Sequence, residues 1–421
     1  MNVLLIGSGG REHALAWKIF QSPRLKKFYA VPGNPGIAEF AECVENISAE
    51  KNSDVVKFAQ EKNIDLVVVG PEAPLVNGLV DELEKVGIKS FGPKAAAAQL
   101  EGSKIFAKQL MEKYKIPTAN FEIFENPDDA KKFLKTQNFP VVIKADGLAA
   151  GKGVIIAKNF EESLEAVDEM KNFGAAGSKI VVEEFMEGEE ASILAFTDGK
   201  NIVPMISAQD HKKIFDGDEG LNTGGMGAYS PAPVVTEEVL RKVEEKILKK
   251  IISALNEEKI IYQGCLYAGL MIKDGEPKVV EFNCRFGDPE TQVVLPLLES
   301  DLLEIMLACA EGNLSDKKIS WKKDTAVCVV LASGGYPKSY KKNLPIEGIK
   351  KAESLGAIIF HAGTKRDGDK ILTSGGRVLG VTVTEKNIRQ AIEKVYKCVG
   401  VIKFEDMHFR KDIAAKALKY I

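Results

Sequence analysis

Lys278-Val279-Val280-Glu281-Phe282-Asn283-Cys284-Arg285, followed at once by Phe286-Gly287-Asp288-Pro289-Glu290, is the stretch on which the fold turns. Its first half reads as a strand. Strand side chains alternate faces, so Glu281, Asn283 and Arg285 point one way, while Val280, Phe282 and Cys284 point into a core. A carboxylate and an amide oxygen two residues apart at a strand end suit a hard divalent cation, which leaves its other positions to water and phosphates. An ordinary strand with a solvated face fits that spacing as well. The second half weighs against it, because an Arg, two acids, Gly and Pro crowd into one turn before an apolar stretch.

Upstream, Lys144-Ala145-Asp146-Gly147-Leu148-Ala149-Ala150-Gly151-Lys152-Gly153 sets a glycine-rich turn between two apolar strands. Such a turn bares backbone N–H groups to a phosphate chain, and Lys144 adds charge. It is no Walker A loop: the glycine spacing is short, Gly153 stands where Ser or Thr belongs, and a strand follows instead of a helix. A plain hairpin remains the alternative. The run from Val181 to Glu190 is a strand entering an acidic linker, with backbone groups for an adenine edge and acids for ribose hydroxyls. A solvated acidic loop reads equally well there.

At the start of the chain, Gly7-Ser8-Gly9-Gly10-Arg11-Glu12-His13 follows a strand and opens a helix, an anion-binding arrangement. Glu12 occupies a position the dinucleotide fingerprint gives to Gly, so the phosphate of a sugar phosphate fits better than a nicotinamide cofactor. His13 reads as a hydrogen-bonded helix histidine. Two further polar, glycine-dense stretches are 208–213 and 222–231. The acidic, Gly-rich residues between them predict no regular structure, and they lack an EF-hand ligand set.

Around these motifs the chain alternates strands (2–7, 27–31, 65–69, 89–91) with helices from about residues 11 and 53, which predicts a parallel sheet covered on both faces. A helix over 101–116, with Ser103 as an early cap, leads to a small α+β module. That module has strands at 141–145, 154–157 and 179–184 and a helix at 160–172. Strands at 192–197, 264–272 and 278–282 and helices at 236–257 and 290–311 follow. The expected organisation is α/β and α+β multidomain: 1–100, a linker helix at 101–116, a lid at 117–187, a central unit at 188–325 and a β-rich unit at 326–421.

A chain of 421 residues with net charge −3 offers no large phosphate-neutralising surface, so nucleic acid is not an expected partner. Its six cysteines show no metal-ligand spacing and read as reduced thiols of a cytoplasmic protein. The apolar run Val3-Leu4-Leu5-Ile6 is too short for a signal peptide core and lacks a basic flank. Nothing is long enough to span a membrane.

Taken in order, these pieces resemble the ATP-grasp superfamily, here with an N-terminal doubly wound parallel sheet and a small C-terminal β-rich domain. Gly9-Gly10-Arg11-Glu12-His13-Ala14, Gly33-Asn34-Pro35-Gly36, Gln209-Asp210-His211-Lys212, Asn222-Thr223-Gly224-Gly225-Met226-Gly227 and Arg285-Phe286-Gly287-Asp288-Pro289-Glu290 narrow the match. They closely resemble the phosphoribosylamine–glycine ligases (glycinamide ribonucleotide synthetases), over essentially the whole chain. That resemblance implies ATP-dependent joining of glycine to 5-phosphoribosylamine through glycyl phosphate, in purine biosynthesis. The alternative is another ATP-grasp carboxylate–amine ligase or carboxylase of purine metabolism.

The resemblance also implies roles. Glu183 and the backbone of Glu184 and Met186 meet adenine, and Glu190 the ribose. Lys104, Lys144 and the Gly147, Gly151 and Gly153 loop meet the phosphates. Glu281 and Asn283 hold Mg2+ or Mn2+, and Arg285 stabilises the transferring phosphoryl group. Asp210 and Lys212 face the reacting centre, while Gly9, Gly10, Arg11, Asn222, Thr223, Gly224 and Gly225 hold phosphoribosylamine. Ala268 stands where many ATP-grasp ligases carry a further metal-binding acid, so the ligand set is expected to be one short. A monomer or weak homodimer and a mobile lid complete the expectation.

Overall fold

The computed structural model describes residues 1–148 and 153–421. Asn2–Gly7 pairs in parallel with Lys27–Pro32 on one side and Leu66–Val69 on the other, and Glu42–Cys43 and Lys89–Phe91 extend the sheet at its edges. Val3, Leu4, Leu5 and Ile6 are wholly buried because both faces of this sheet are covered. Leu4 and Ile6 pack with Val67 and Leu79, while Val3 and Leu5 pack with Leu15 and Ile19 of the Gly10–Ile19 helix.

The expected helix over 101–116 is two helices, Ala95–Gly102 and Lys104–Lys113. Ser103 is extended between them and caps the second, its hydroxyl accepting from the Phe106 N–H. Beyond it, Phe121–Phe124, Ile180–Glu184, Val141–Ala145 and Val154–Ala157 lie side by side, in that order, in an antiparallel sheet. One face packs on helices Pro127–Leu134 and Phe160–Met170 through Ile143, Ile180, Val182, Leu134 and Val167. Alternation then puts Lys144 and Glu183 on the opposite face.

A second antiparallel sheet runs Ile202–Pro204, Glu189–Asp198, Gln263–Lys273, Glu276–Asn283. Ile193 and Ala195 face the helical run Glu237–Glu257, and Leu194 and Phe196 face Leu302–Glu311. The last strand carries a bulge: Gly269 pairs with Glu281, but its neighbour Leu270 pairs with Val279. Val280 is the extra residue, which corrects the expected alternation. Val279, Phe282 and Cys284 are in the core, and Val280 is only half-buried.

The expected helix over 290–311 is broken. Thr291–Val294 passes into a short 3-10 turn containing Pro296, Leu298 is extended and bridges to Trp321, and a new helix starts at Leu302. Proline lacks the N–H a continuing helix needs, and Asp301 caps the new start by accepting from Leu303 N and Glu304 N.

A third sheet runs Gln209–Asp210, Gly227–Ser230, Thr325–Ala332, Arg377–Glu385, Ile358–His361. The residues expected to be irregular form a hairpin of Lys213–Phe215 with Glu219–Asn222. Its order comes from far away in sequence: the buried Arg410 guanidinium donates to Lys213 O at 3.1 Å and to Asp218 at 2.9 Å. All six cysteines are unpaired. Among the described residues no helix is long and apolar enough to cross a membrane.

Candidate active site

The bulged strand ends at a cavity of about 360 Å3. Glu281 and Asn283 lie on its wall, the Asn283 Nδ2 donating to Glu281 Oε1 at 3.5 Å, so the two side chains expected from spacing alone meet there. Lys104, Lys144 and Arg285 line the same cavity. Burial pushes the Glu281 carboxyl up, but Lys212, Lys144, Arg285 and Lys104 together outweigh it and hold the acid below its ordinary range. Among the described residues, no group of three or more His, Cys, Asp or Glu side chains is arranged to hold a metal. An ionised carboxylate beside an amide, ringed by cations, therefore fits an ion bound mostly through phosphate oxygens and water better than an all-protein cage. Ala268 is wholly buried in the core and offers nothing to such an ion.

Lys144 is held from below. Its ammonium pairs with Glu183 at 2.9 Å and donates to Val280 O at 3.3 Å, a carbonyl of the bulge residue. Glu183 is buried between two lysines, since Lys108 approaches it at 2.9 Å as well. Burial pulls the Lys108 ammonium down to about 8 against the pull of Glu183. Lys104, the first residue of its helix, donates to Gly147 O at 2.8 Å. Asp146 accepts from Ser103 Oγ and Ile105 N, both at 3.1 Å, so the glycine turn is tied to that helix N-terminus. Gly147 and Gly153 line the cavity, whereas Gly151 lies outside the described residues. Glu184 and Met186 line a second groove of about 850 Å3 that adjoins the first at Glu183. The Glu184 carboxylate accepts from Asn120 N at 3.1 Å.

A second charged group sits beside Glu281. Lys212 pairs with Glu190 at 2.8 Å. Burial works to lower the Lys212 ammonium, yet Glu190 and Asp210 carry it well above its ordinary value. Asp210 is pushed up to about 7, first by burial and then by Glu290, Glu190 and Glu281, with Lys212 opposing. Thr223 ties this group to the next loop, its hydroxyl donating to Lys212 O at 2.8 Å and accepting from Gly225 N at 3.0 Å. Gly225 has φ +108° and lies against Pro289, so neither its conformation nor its surroundings admit a side chain. Arg11 reaches the cavity from the first helix, pairing with Glu12 at 2.5 Å and donating to Phe286 O at 3.2 Å.

A profile of the phosphoribosylglycinamide synthetase N domain matches residues 1–101, that of its ATP-grasp (A) domain residues 102–291 and that of its C domain residues 326–416. The chain belongs to the phosphoribosylglycinamide synthetase family. It is 51% identical to the phosphoribosylamine–glycine ligase of Caldanaerobacter subterraneus subsp. tengcongensis, over 99% of this chain and all of that one. It is 50% identical to the chicken trifunctional purine biosynthetic protein adenosine-3, over all of this chain and 42% of that one. The crystal structure of phosphoribosylamine–glycine ligase from Thermotoga maritima superposes with a TM-score of 0.86 at 33% identity, over 98% of this chain and all of that one. A biotin carboxylase domain of Hydrogenobacter thermophilus 2-oxoglutarate carboxylase shares the fold alone, with a TM-score of 0.73 at 16% identity, over 97% of this chain and 91% of that domain. The ATP-grasp fold expected from the motifs is thus the fold of this family.

Within this phosphoribosylglycinamide synthetase architecture the singled-out residues do not all meet. Arg11, Gly224, Lys104, Lys144, Glu183, Glu281, Asn283 and Arg285 share the cavity. Gly9 and Gly10 are packed instead on Glu12 and Gln292, and the Gly9 N–H is already taken by the Glu12 carboxylate at 2.6 Å. Asn222 is exposed in the hairpin. His13 is a satisfied histidine, its Nδ1 accepting from His361 N at 2.7 Å. Three wall residues carried no sequence signal of their own, Glu101, Lys108 and Arg377, whereas Glu72 belongs to the Gly70-Pro71-Glu72 turn at the carboxyl end of a sheet strand. Arg377 follows the Ser374-Gly375-Gly376 turn and spans from Gly224 O to the Asp288 carboxylate, 3.0 Å away, so the C-terminal sheet supplies one wall.

Proposed function

We propose that the chain joins glycine to 5-phosphoribosylamine with ATP, by way of glycyl phosphate, giving glycinamide ribonucleotide, ADP and phosphate. Full-length similarity to ligases of that name supports the reaction. The observation that carries the site is the convergence of Glu281 and Asn283 with Lys104, Lys144 and Arg285 on one cavity. A glycine carboxylate oxygen attacks the γ-phosphorus and ADP departs. The amine of phosphoribosylamine then attacks the acyl carbon, phosphate departs and the amine loses a proton.

In this reading Glu281 and Asn283 hold Mg2+ or Mn2+, whose charge offsets that of the β- and γ-phosphate oxygens. Lys104, Lys144 and the N–H groups of Gly147 and Gly153 bind the phosphates, and Arg285 stabilises charge on the moving phosphoryl group. The backbone of Glu184 and Met186 meets adenine and Glu190 the ribose. Glu183, its carboxylate engaged by two lysines, orients Lys144. Asp210, poised near neutrality, takes the amine proton, with Lys212 beside it. Arg11 and the 222–225 loop hold phosphoribosylamine. An acyl phosphate hydrolyses in water, so the lid over the cavity closes before it forms. The protein works in the cytoplasm, as a monomer or weak homodimer, without nucleic acid or membrane partners.

The test is ADP release with ATP, glycine and phosphoribosylamine, against the same mixture lacking each substrate in turn, together with capture of glycyl phosphate by hydroxylamine. Release with all three and a trapped glycine hydroxamate are expected; no release with the full mixture would sink the reading.

A further inference from the structure

Arg285 is gripped from two sides. Its Nη2 lies 2.8 Å from Glu101, in the Ala95–Gly102 helix, and its Nε 3.2 Å from Glu72, in the Glu72–Val76 helix. Glu101 has a second hold on the same strand end: it accepts from the Cys284 main-chain N–H at 2.8 Å and from the Cys284 thiol at 3.1 Å. One carboxylate thus fixes the main chain directly after Asn283 and the guanidinium one residue further on. The Glu101 side chain is 8% exposed, and both acids line the cavity. A buried ion pair is a poor device for stability alone, because desolvation consumes most of its Coulomb energy. It is a good device for holding a charge at one place. The helix that carries Glu101 also ends at Ser103, directly before Lys104, so the clamp joins the two sides of the phosphate-facing cluster.

We propose that Glu101 is a positioning residue for the phosphoryl transfer, aligning Arg285 and the strand end bearing Glu281 and Asn283, with Glu72 as the outer arm of the clamp. The proposal rests on the reading of this cavity as the ATP site. Glu101→Gln keeps an oxygen for the Cys284 N–H but replaces the oxygen that holds Arg285 with an uncharged NH2 that can only donate. It is expected to lower kcat by about 10–100-fold, as loss of a supporting partner does, while the KM values for ATP and glycine stay near wild type. Glu72→Gln, on the more exposed arm, shows a smaller loss with the same split and carries the test should Glu101→Gln fail to fold.

The decisive comparison is Arg285→Ala alone against Arg285→Ala with Glu101→Gln. If Glu101 acts through Arg285, the second change adds almost nothing. A merely structural Glu101 adds its full loss to the double variant, which overturns the proposal, as does wild-type kcat in both single glutamine variants. Wild-type protein that releases no ADP with glycine and phosphoribosylamine overturns the reading of the site; active wild type with an unimpaired clamp variant overturns this proposal alone.

Discussion

Glu281 shows how much a single side chain depends on its neighbours. Alone, a buried carboxylate would be driven toward its neutral form; four cations, Lys212, Lys144, Arg285 and Lys104, keep it charged. Glu281→Gln is therefore expected to cut ADP release by about 100-fold or more, the scale of losing one main electrostatic contact to a transferring group. Thermal unfolding of the ligand-free protein should remain cooperative. Asp210 gives the opposite case. Its carboxyl is raised to about 7 from an ordinary 3.8, so the folded protein binds more protons than the unfolded chain between those values. Stability then falls as pH rises through that window, and the full penalty is present above it. Asp210→Asn removes the penalty. Melting of the ligand-free variant should match wild type near pH 4 and exceed it at pH 8; an equal gap at both would refute the assignment of the raised carboxyl to Asp210.

Secondary-structure elements were legible wherever local pattern and packing agreed. The Val141–Ala145 and Val154–Ala157 strands stand where alternation and glycine punctuation put them. The hairpin at 213–222 did not, because its order is supplied by Arg410, whose side chain is wholly buried between Asp218 and Asp412. Arg410→Ala is expected to cost about 3 kcal/mol, at the low end for a broken buried pair since both acids keep some contact with water. Urea unfolding and faster proteolysis within 213–222 would register it. The break at Ser103 was half legible: a capping residue was visible, but not that the chain would turn there. Ser103→Ala should cost about 1 kcal/mol through the lost cap, read as a lower denaturation midpoint. An unchanged midpoint would mean that the Asp146 bond to Ile105 N holds this helix start without the cap.

At the scale of the molecule, the four-stranded sheet of the lid meets the rest of the chain through polar ties: Asp146 to Ser103 and Ile105, Gly147 O to Lys104, Lys144 to Val280 O, Glu183 to Lys108 and Glu184 to Lys278, besides the bridge of Thr118 to Val279 and the linker at Gly188. Gly188 has φ +144° and a side chain there would collide with the Ile272 carbonyl, so the linker is close-fitting at its exit. The lid's own core, Ile143, Val167, Ile180 and their neighbours, is separate from the others. A unit with its own core, joined to the rest by exchangeable polar ties, moves as a body. Crystal structures with and without a non-hydrolysable ATP analogue should show residues 121–184 rotated as one piece relative to the central sheet; unchanged lid positions would count against closure.

What the sequence determined by itself was chemistry with short reach: strand alternation, glycine turns, and the Glu281, Asn283 and Arg285 spacing, all of which follow from geometry a few residues long. The family resemblance added the reaction. Only the tertiary structure decided which charges share a cavity. Lys104 faces Gly147, Arg11 reaches Phe286, and Arg377 meets Asp288 across 89 residues or more of chain in the last two cases. Even Val280 turned from core to cavity through a one-residue bulge set by its partner strand. Such outcomes depend on which surfaces bury each other, and no window of local sequence contains both partners.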